Sequence, residues 1–106
     1  MNQVVIVTTT LPFSMSNDEV IEFKTKFLQS KLSACAQSKK INSTYFWEGE
    51  IISEHEWEIS FKTTAKNLDE LISTISKEHP YEIPQITHGI ELSTEEYVNW
   101  ISMQVN

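Results

Sequence analysis

The residues with the clearest chemical potential lie in one short run, His79-Pro80-Tyr81-Glu82-Ile83-Pro84. The run places an imidazole, a phenol and a carboxylate within four positions, and its prolines restrict the backbone around them. Imidazole nitrogen suits Cu²⁺, Zn²⁺ and Ni²⁺, and Glu82 is close enough in sequence to share a metal ion with His79. Two other interpretations stay open. His79 would end a helix, where a partly positive ring suits the helix dipole, or the run would be a solvated loop.

Cys35 is the only cysteine and a further candidate metal ligand. Its thiolate could hold a metal ion or act as a redox switch, but no charge close by in sequence favours the thiolate. Its neighbours Ala34 and Ala36 favour a buried, unreactive thiol instead. A lone thiol forms no intrachain disulfide, and the sequence contains none of the CxxC, HxH or HExxH spacings of local zinc sites.

Carboxylates are frequent around the predicted hairpin, at Glu48, Glu50, Glu54, Glu56 and Glu58. Such a set can collect divalent cations, although it more often forms a solvated face. Glu56 and Lys62 fall on one face of a predicted strand, where they could line a cleft and orient an anionic or amphoteric ligand. The alternative is an ion pair that contributes little to stability.

Composition excludes several classes of function. A formal net charge of −7 on 106 residues argues against nucleic acid, which requires a basic surface. The sequence contains no arginine for bidentate phosphate binding, no Gly-rich phosphate loop and no Ser or Cys in a nucleophile context, so we expect no enzyme. No apolar run approaches the roughly 20 residues that span a bilayer. The first ten residues are typical of a strand rather than a secretory signal, so we expect a cytoplasmic protein.

Hydrophobic periodicity positions the candidate residues on a small α+β domain covering residues 1–106. The predicted elements are a strand at 3–10 closed by Pro12, a helix from 17 to about 33 behind a capping box at 16–19, a strand at 34–48, a strand through 56–62, a helix from 68 to about 79, a strand at 83–92 with a bulge at Gly89, and a short helix behind a second capping box at 93–96. This order predicts a ferredoxin-like βαββαβ sandwich with a long central hairpin and an extra C-terminal helix. Gly49 lies in the hairpin turn, where we expect a positive φ.

The predicted hairpin is too long for the edge of so small a sandwich. It is also rich in aromatic residues, namely Tyr45, Phe46, Trp47 and Trp57. These would expose apolar surface unless another chain covers them, so they are predicted to form hairpin packing and a subunit interface rather than a ligand cage. We therefore expect a homo-oligomer built by sheet extension, and a trimer is one closed solution.

The chain resembles the CutA family of divalent-cation tolerance proteins over nearly its whole length. The matching runs are Lys31-Leu32-Ser33-Ala34-Cys35-Ala36, Tyr45-Phe46-Trp47-Glu48-Gly49-Glu50-Ile51, Glu56 with Phe61-Lys62-Thr63-Thr64, the run from His79 to Ile86, and Tyr97 with Trp100. The resemblance implies a ferredoxin-like subunit in a tight homotrimer, similar in architecture to PII-type signalling proteins, with no established enzymatic activity. It also implies tolerance to copper and other divalent cations.

The sequence departs from the family pattern at three places. Gln85 replaces a usual acidic residue, Gln37 replaces a common asparagine, and threonines occupy 8–10, where some bacterial members carry a cysteine. A soft sulfur ligand is therefore absent from the end of the first strand, which weakens a Cu⁺ interpretation.

Three functions are expected from these observations. The first is a homotrimeric, cytoplasmic protein that binds Cu²⁺ or a related divalent metal weakly through His79, Glu82 and Cys35, without an obligatory cofactor. The second is a PII-like small-molecule sensor with intersubunit clefts, whose candidate lining residues are Lys62, Glu56, Tyr81 and Trp47 together with His79. The third is a trimeric scaffold.

Overall fold

Four antiparallel strands and three α-helices make up the computed structural model, which describes residues 2–106. The elements are β1 (Gln3–Pro12), α1 (Asn17–Gln29), β2 (Cys35–Trp47), β3 (Glu50–Thr63), a one-turn 3₁₀ helix (Ala65–Asn67), α2 (Leu68–Glu78), β4 (Ile86–Leu92) and α3 (Glu95–Gln104). The strand order in the sheet is β2-β3-β1-β4. The predicted ferredoxin-like α+β fold, with its long hairpin and its extra helix, is confirmed. Met1, which the single-domain prediction includes, lies outside the described residues.

The two faces of the sheet are covered differently. Because side chains alternate along a strand, Val7, Thr9 and Leu11 of β1 face one way, whereas Thr8 and Thr10 face the other. Helices α1 and α2 cover the first face and bury the main core, which contains Val7, Leu11, Val20, Phe23, Phe27, Leu32, Ile59, Phe61, Leu71 and Ile75. Helix α3 packs Ile101 against Val4 and Ala34 on the second face. Thr10 and Glu56 on the same second face are also buried.

The capping box predicted before α1 is present. Ser16 Oγ accepts a hydrogen bond from the Glu19 amide at 3.2 Å, and Glu19 Oε1 accepts one from the Ser16 amide at 2.9 Å. The helix ends at Gln29, earlier than the predicted residue 33. Lys31 adopts a positive φ of 60°, and the amides of residues 32 and 33 then donate back to the Phe27 carbonyl, which terminates the helix.

Three further features differ from the predictions. Strand β1 runs on to Pro12, which pairs with Glu56 of β3. Strand β4 ends before it reaches Pro12, so the proline needs no amide donor on that side. The register of β4 passes through Gly89 opposite Ile6, so the predicted bulge is wrong. Helix α3 is capped by the Thr94 hydroxyl, which accepts from the Tyr97 amide, and not by Ser93.

The hairpin of β2 and β3 is continuous from the Cys35–Lys62 pair to the Trp47–Glu50 pair. Its two-residue turn has φ of 49° at Glu48 and 81° at Gly49, as in a type I′ turn. The positive φ predicted for Gly49 is confirmed, and that of Glu48 was not anticipated. The hairpin contributes to an elongated chain of 45 × 26 × 22 Å. None of the helices in the described part of the chain is long and apolar enough to cross a membrane.

Candidate functional site

The candidate residues meet where β1 runs past the start of β4. Strand β4 pairs only as far as Ile86 with Thr9, so the edge of β1 beyond Thr9 is free of a strand. The loop of residues 79–85 fills this gap and wraps around the edge. His79 enters it on the face covered by α1 and α2, because it bonds to Thr9. Tyr81 reaches the opposite face, because it bonds to Glu56.

His79 is held at both ring nitrogens. Its backbone is extended, with φ −77° and ψ 136°, as predicted for the residue before a proline. The Thr9 hydroxyl donates to the Gln85 carbonyl at 2.6 Å, so it accepts at 2.9 Å from His79 Nε2–H. Nδ1 accepts from the Tyr81 amide at 3.1 Å. Burial lowers the pKa of His79, in accord with a neutral ring that fastens the 79–85 loop to β1.

The structure does not bring the predicted metal ligands His79, Glu82 and Cys35 together as a metal site. With Nε2–H donating and Nδ1 accepting, the His79 ring offers no free lone pair to a metal ion. Cys35 lies opposite Lys62 on the other face of the sheet, so the fold does not bring it to His79. Glu82 is exposed at the rim of the loop. Among residues 2–106, no three or more His, Cys, Asp or Glu side chains form a cluster suited to a metal ion.

Glu56 is a buried carboxylate without a cationic partner. Its exposure is 7%, and its Oε2 accepts from the Tyr81 hydroxyl at 2.8 Å. The ion pairs within residues 2–106 join Lys26 to Glu78 and Lys39 to Glu58, so neither involves Glu56. Burial and the hydrogen bond to Glu56 raise the pKa of Tyr81, so its phenol stays protonated and donates.

Glu56 and Tyr81 belong to the wall of a cavity of about 580 Å³, which we call the Glu56 cavity. Its lining residues are Thr10, Ser43, Thr44, Tyr45, Trp47, Glu56, Tyr81, Glu82, Ile83 and Gln85. Three of the predicted cleft residues, Glu56, Tyr81 and Trp47, are therefore brought together. Lys62 is not among them: it lies six residues from Glu56 along β3, about 20 Å away. Its Nζ is 5.6 Å from the centre of the Tyr97 ring.

The sequence analysis assigned Tyr45 to hairpin packing and a subunit interface rather than to a ligand site, and it did not identify Thr9. Tyr45 lines the Glu56 cavity, and its hydroxyl donates to Glu54, which raises the pKa of Tyr45 to about 12. The register of a two-residue turn at Glu48 and Gly49 could have revealed it, because that register places Tyr45, Trp47 and Glu56 on one face. No local signal links Thr9 to His79, because they lie 70 residues apart.

Comparison with known proteins identifies the family to which the chain belongs. The family model described as "CutA1 divalent ion tolerance protein" matches residues 5–104. The chain belongs to the CutA1 family. The resemblance found in the sequence is thereby confirmed, and the family is one of divalent-cation tolerance proteins rather than a known enzyme family.

Individual CutA1 relatives match over nearly the full chain. The divalent-cation tolerance protein CutA of Thermotoga maritima is 37% identical over 102 residues, covering 95% of this chain and 98% of that protein. The structure of CutA from Synechococcus elongatus PCC7942 has a TM-score of 0.91 at 27% identity, covering 100% of this chain and 93% of that one. The periplasmic divalent cation tolerance protein CutA from Archaeoglobus fulgidus has a TM-score of 0.87 at 28% identity, covering 97% and 99%.

Proposed function

We propose that this CutA1-family chain is a non-enzymatic binding protein that works as a homotrimer and senses a small ligand held in the Glu56 cavity. One observation carries the proposal: a carboxylate that is 93% buried faces a cavity and has no cationic side chain paired with it in residues 2–106. A buried charge without a partner is costly to the free energy of folding. A ligand, or a neighbouring chain, would remove that cost.

The cavity has the properties of a ligand site. A volume of about 580 Å³ lies within the range of small-molecule pockets, roughly 300–1,000 Å³. Its wall combines aromatic surface, from Tyr45 and Trp47, with a few convergent polar groups on rigid strands. The architecture that the family shares with PII-type signalling proteins agrees with a sensing role, although that argument rests on fold alone.

Exposed apolar surface supports the homotrimer. Phe46 and Ile51 at the hairpin end are 75% and 69% exposed, and Ile90 and Leu92 on β4 are 60% and 68% exposed. Strands β2 and β4 are the two edges of the sheet, so sheet extension between copies would cover both. Closed cyclic symmetry would leave no edge unpaired. The Glu56 cavity lies beside β2, and in such an assembly it would become a cleft between subunits.

Weak binding of Cu²⁺ or a related divalent metal is the second candidate function. The acidic groups at one end of the molecule, Glu54, Glu56 and Glu82, favour it, as does the description of the relatives as divalent-cation tolerance proteins. Because no described cluster supplies three ligands, such a site would draw carboxylates from more than one chain, or would require His79 to release its bonds. We place either function in the cytoplasm.

A ligand screen by thermal shift tests the first candidate, because a ligand that binds only the folded protein raises the melting temperature. Glu56→Gln should abolish any stabilisation that a ligand gives the wild type. Glu58→Gln is the matched control, since it makes the same change on the same strand face outside the cavity. A screen without a stabilising compound, or a hit unaffected by Glu56→Gln, would contradict the proposal.

A Cu²⁺ titration with native mass recorded alongside tests the second candidate. Saturable binding at a fixed ratio per trimer, reduced in Glu56→Gln or His79→Ala, would support a metal site at this end of the sheet. Copper has the highest affinity among the divalent metals for most nitrogen and oxygen sites, so Zn²⁺ and Ni²⁺ belong in the comparison. Weak, non-saturating binding that neither substitution changes would make copper incidental.

A further inference from the structure

We infer that the Glu56 cavity selects a small organic cation, an ammonium or guanidinium group carried on an apolar body. This inference rests on the proposed ligand-binding function and adds the chemical class of the ligand.

Glu56 supplies the recognition group. One of its oxygens, Oε2, accepts from the Tyr81 hydroxyl. No buried side-chain oxygen in residues 2–106 lacks a hydrogen-bond partner, so the other oxygen, Oε1, which has no such bond, is open to the cavity. The side chain is 7% exposed and borders the cavity. A cationic N–H group in the cavity would give Oε1 a charge-assisted hydrogen bond and neutralise the buried charge in one contact.

The ionisable side chains in the cavity wall favour a positively charged ligand. The hydroxyls of Tyr81 and Tyr45 are both committed as donors, to Glu56 and Glu54. Glu82 adds a second carboxylate to the wall, and the described lining contains no lysine. An anionic ligand would meet like charge here in a partly desolvated space, whereas a cation would meet attraction.

The size and the aromatic walls indicate an organic cation rather than a bare metal ion. A cavity of about 580 Å³ is far larger than one ion, and residues 2–106 contain no cluster of three metal-ligating side chains. The rings of Tyr45 and Trp47 and the side chain of Ile83 provide surface for an apolar body. An aromatic face also attracts a cation that lies within about 6 Å of it.

Three probes of matched shape test the inference by isothermal titration of the intact protein at constant ionic strength: 2-phenylethylammonium, 2-phenylethanol and 3-phenylpropionate. We expect the ammonium to bind about tenfold or more tightly than the neutral alcohol, because it alone forms a charged hydrogen bond with Glu56. We expect no saturable binding of the carboxylate. Glu56→Gln should lower the ammonium affinity about tenfold or more, and Glu58→Gln should leave it unchanged.

The outcomes distinguish failure of the charge selectivity from failure of the ligand-binding function. Equal or tighter binding of the alcohol or the carboxylate at the cavity would overturn the charge selectivity while leaving the ligand-binding function in place. If Glu58→Gln lowers the ammonium affinity as much as Glu56→Gln does, the ammonium is attracted by the acidic surface in general. That result would overturn the assignment of the binding site to Glu56. Failure of all three probes to bind overturns the organic-cation inference, and the ligand screen then decides the proposed function separately. If Glu56→Gln does not fold, the wild-type order of the three probes still decides the charge selectivity.

Discussion

His79 fastens the 79–85 loop to β1 in a way that depends on protonation. Its Nδ1 accepts from the Tyr81 amide, so a proton on Nδ1 would place one donor against another. Phe23 packs edge-on to the ring with centroids 6.4 Å apart, and Thr9 occupies Nε2. A hydrogen bond with the Thr10 backbone and the negative charge of Glu56 both raise the pKa of His79, but burial outweighs them and the net shift is downward.

The protein should therefore lose stability as the pH falls below the ordinary histidine pKa. Burial lowers the pKa of His79 from 6.5, so the neutral ring contributes fully above about pH 6.5, and its contribution is lost as the pH falls through the folded-state pKa. Urea unfolding of the wild type and His79→Gln between pH 5 and 8, at fixed protein concentration, checks this. We expect His79→Gln to be less stable at pH 8 and its pH profile to be flatter.

His88→Gln is the control for this experiment, because His88 is exposed on β4. It should keep the wild-type slope of unfolding free energy against pH. A wild-type slope that His79→Gln leaves unchanged would contradict the role assigned to the imidazole.

Tyr81→Phe should destabilise the protein by about 1–3 kcal/mol, the usual cost of leaving a buried polar group without its hydrogen bond. The substitution removes the hydroxyl that donates to Glu56 and leaves the ring in place. Tyr45→Phe is the matched control, since it removes a donor to the exposed Glu54 and should cost much less. Urea unfolding at pH 7 measures both. Equal effects would show that burial of Glu56 does not decide the cost.

At the scale of elements, local patterns predicted the type and order of the strands and helices well. The capping box before α1 and the positive φ of Gly49 depend on neighbouring residues alone, and both were predicted. The start of β4 was not, because the Thr9 hydroxyl takes the Gln85 carbonyl and keeps that residue out of the ladder. The candidate site was predicted only in part, because its contacts are long-range and leave no local pattern in the sequence. His79 bonds to Thr9, 70 positions away, and Glu56 bonds to Tyr81, 25 positions away.

The two glycines provide a matched test of the hairpin turn. Gly49 has φ of 81°, and a Cβ there would meet no atom within 4 Å, so Gly49→Ala adds backbone strain alone. We expect it to destabilise the protein by about 1–2 kcal/mol. Gly89 has equal room and an ordinary strand backbone, so Gly89→Ala should be neutral or stabilise by about 0.4–1 kcal/mol. Thermal unfolding distinguishes them, and a reversed order would contradict the turn geometry.

The whole molecule leaves much apolar surface uncovered within a single chain. Exposed large apolar side chains occur on the hairpin, on β4 and on α3, among them Trp47, Ile51, Leu92 and Met103. Extended apolar patches of this kind mark interaction surfaces on proteins in water. The Glu56 cavity opens on the same end of the molecule as the hairpin aromatics, so assembly and ligand binding would be coupled through Trp47.

Trp47→Ala should therefore lower the association state as well as the melting temperature. Tryptophans in the centre of an interface often contribute a large share of the binding energy. In an obligate oligomer, the loss of assembly also makes the melting temperature depend on protein concentration. Native mass and sedimentation velocity over a concentration series measure the first effect, and thermal unfolding over the same series measures the second.

A second pair of variants separates assembly from the wall of the cavity. Ile51→Ala alters the hairpin without touching the lining of the cavity, and Ile21→Ala makes the same change at a 47% exposed position on α1. Only Ile51→Ala should shift the mass distribution, because only the hairpin side chain is expected to lie between chains. If Trp47→Ala and Ile51→Ala both keep the wild-type mass and stability, the hairpin lies outside any interface between copies. The exposed apolar residues of β4 and α3 would then be the remaining candidates for an interface.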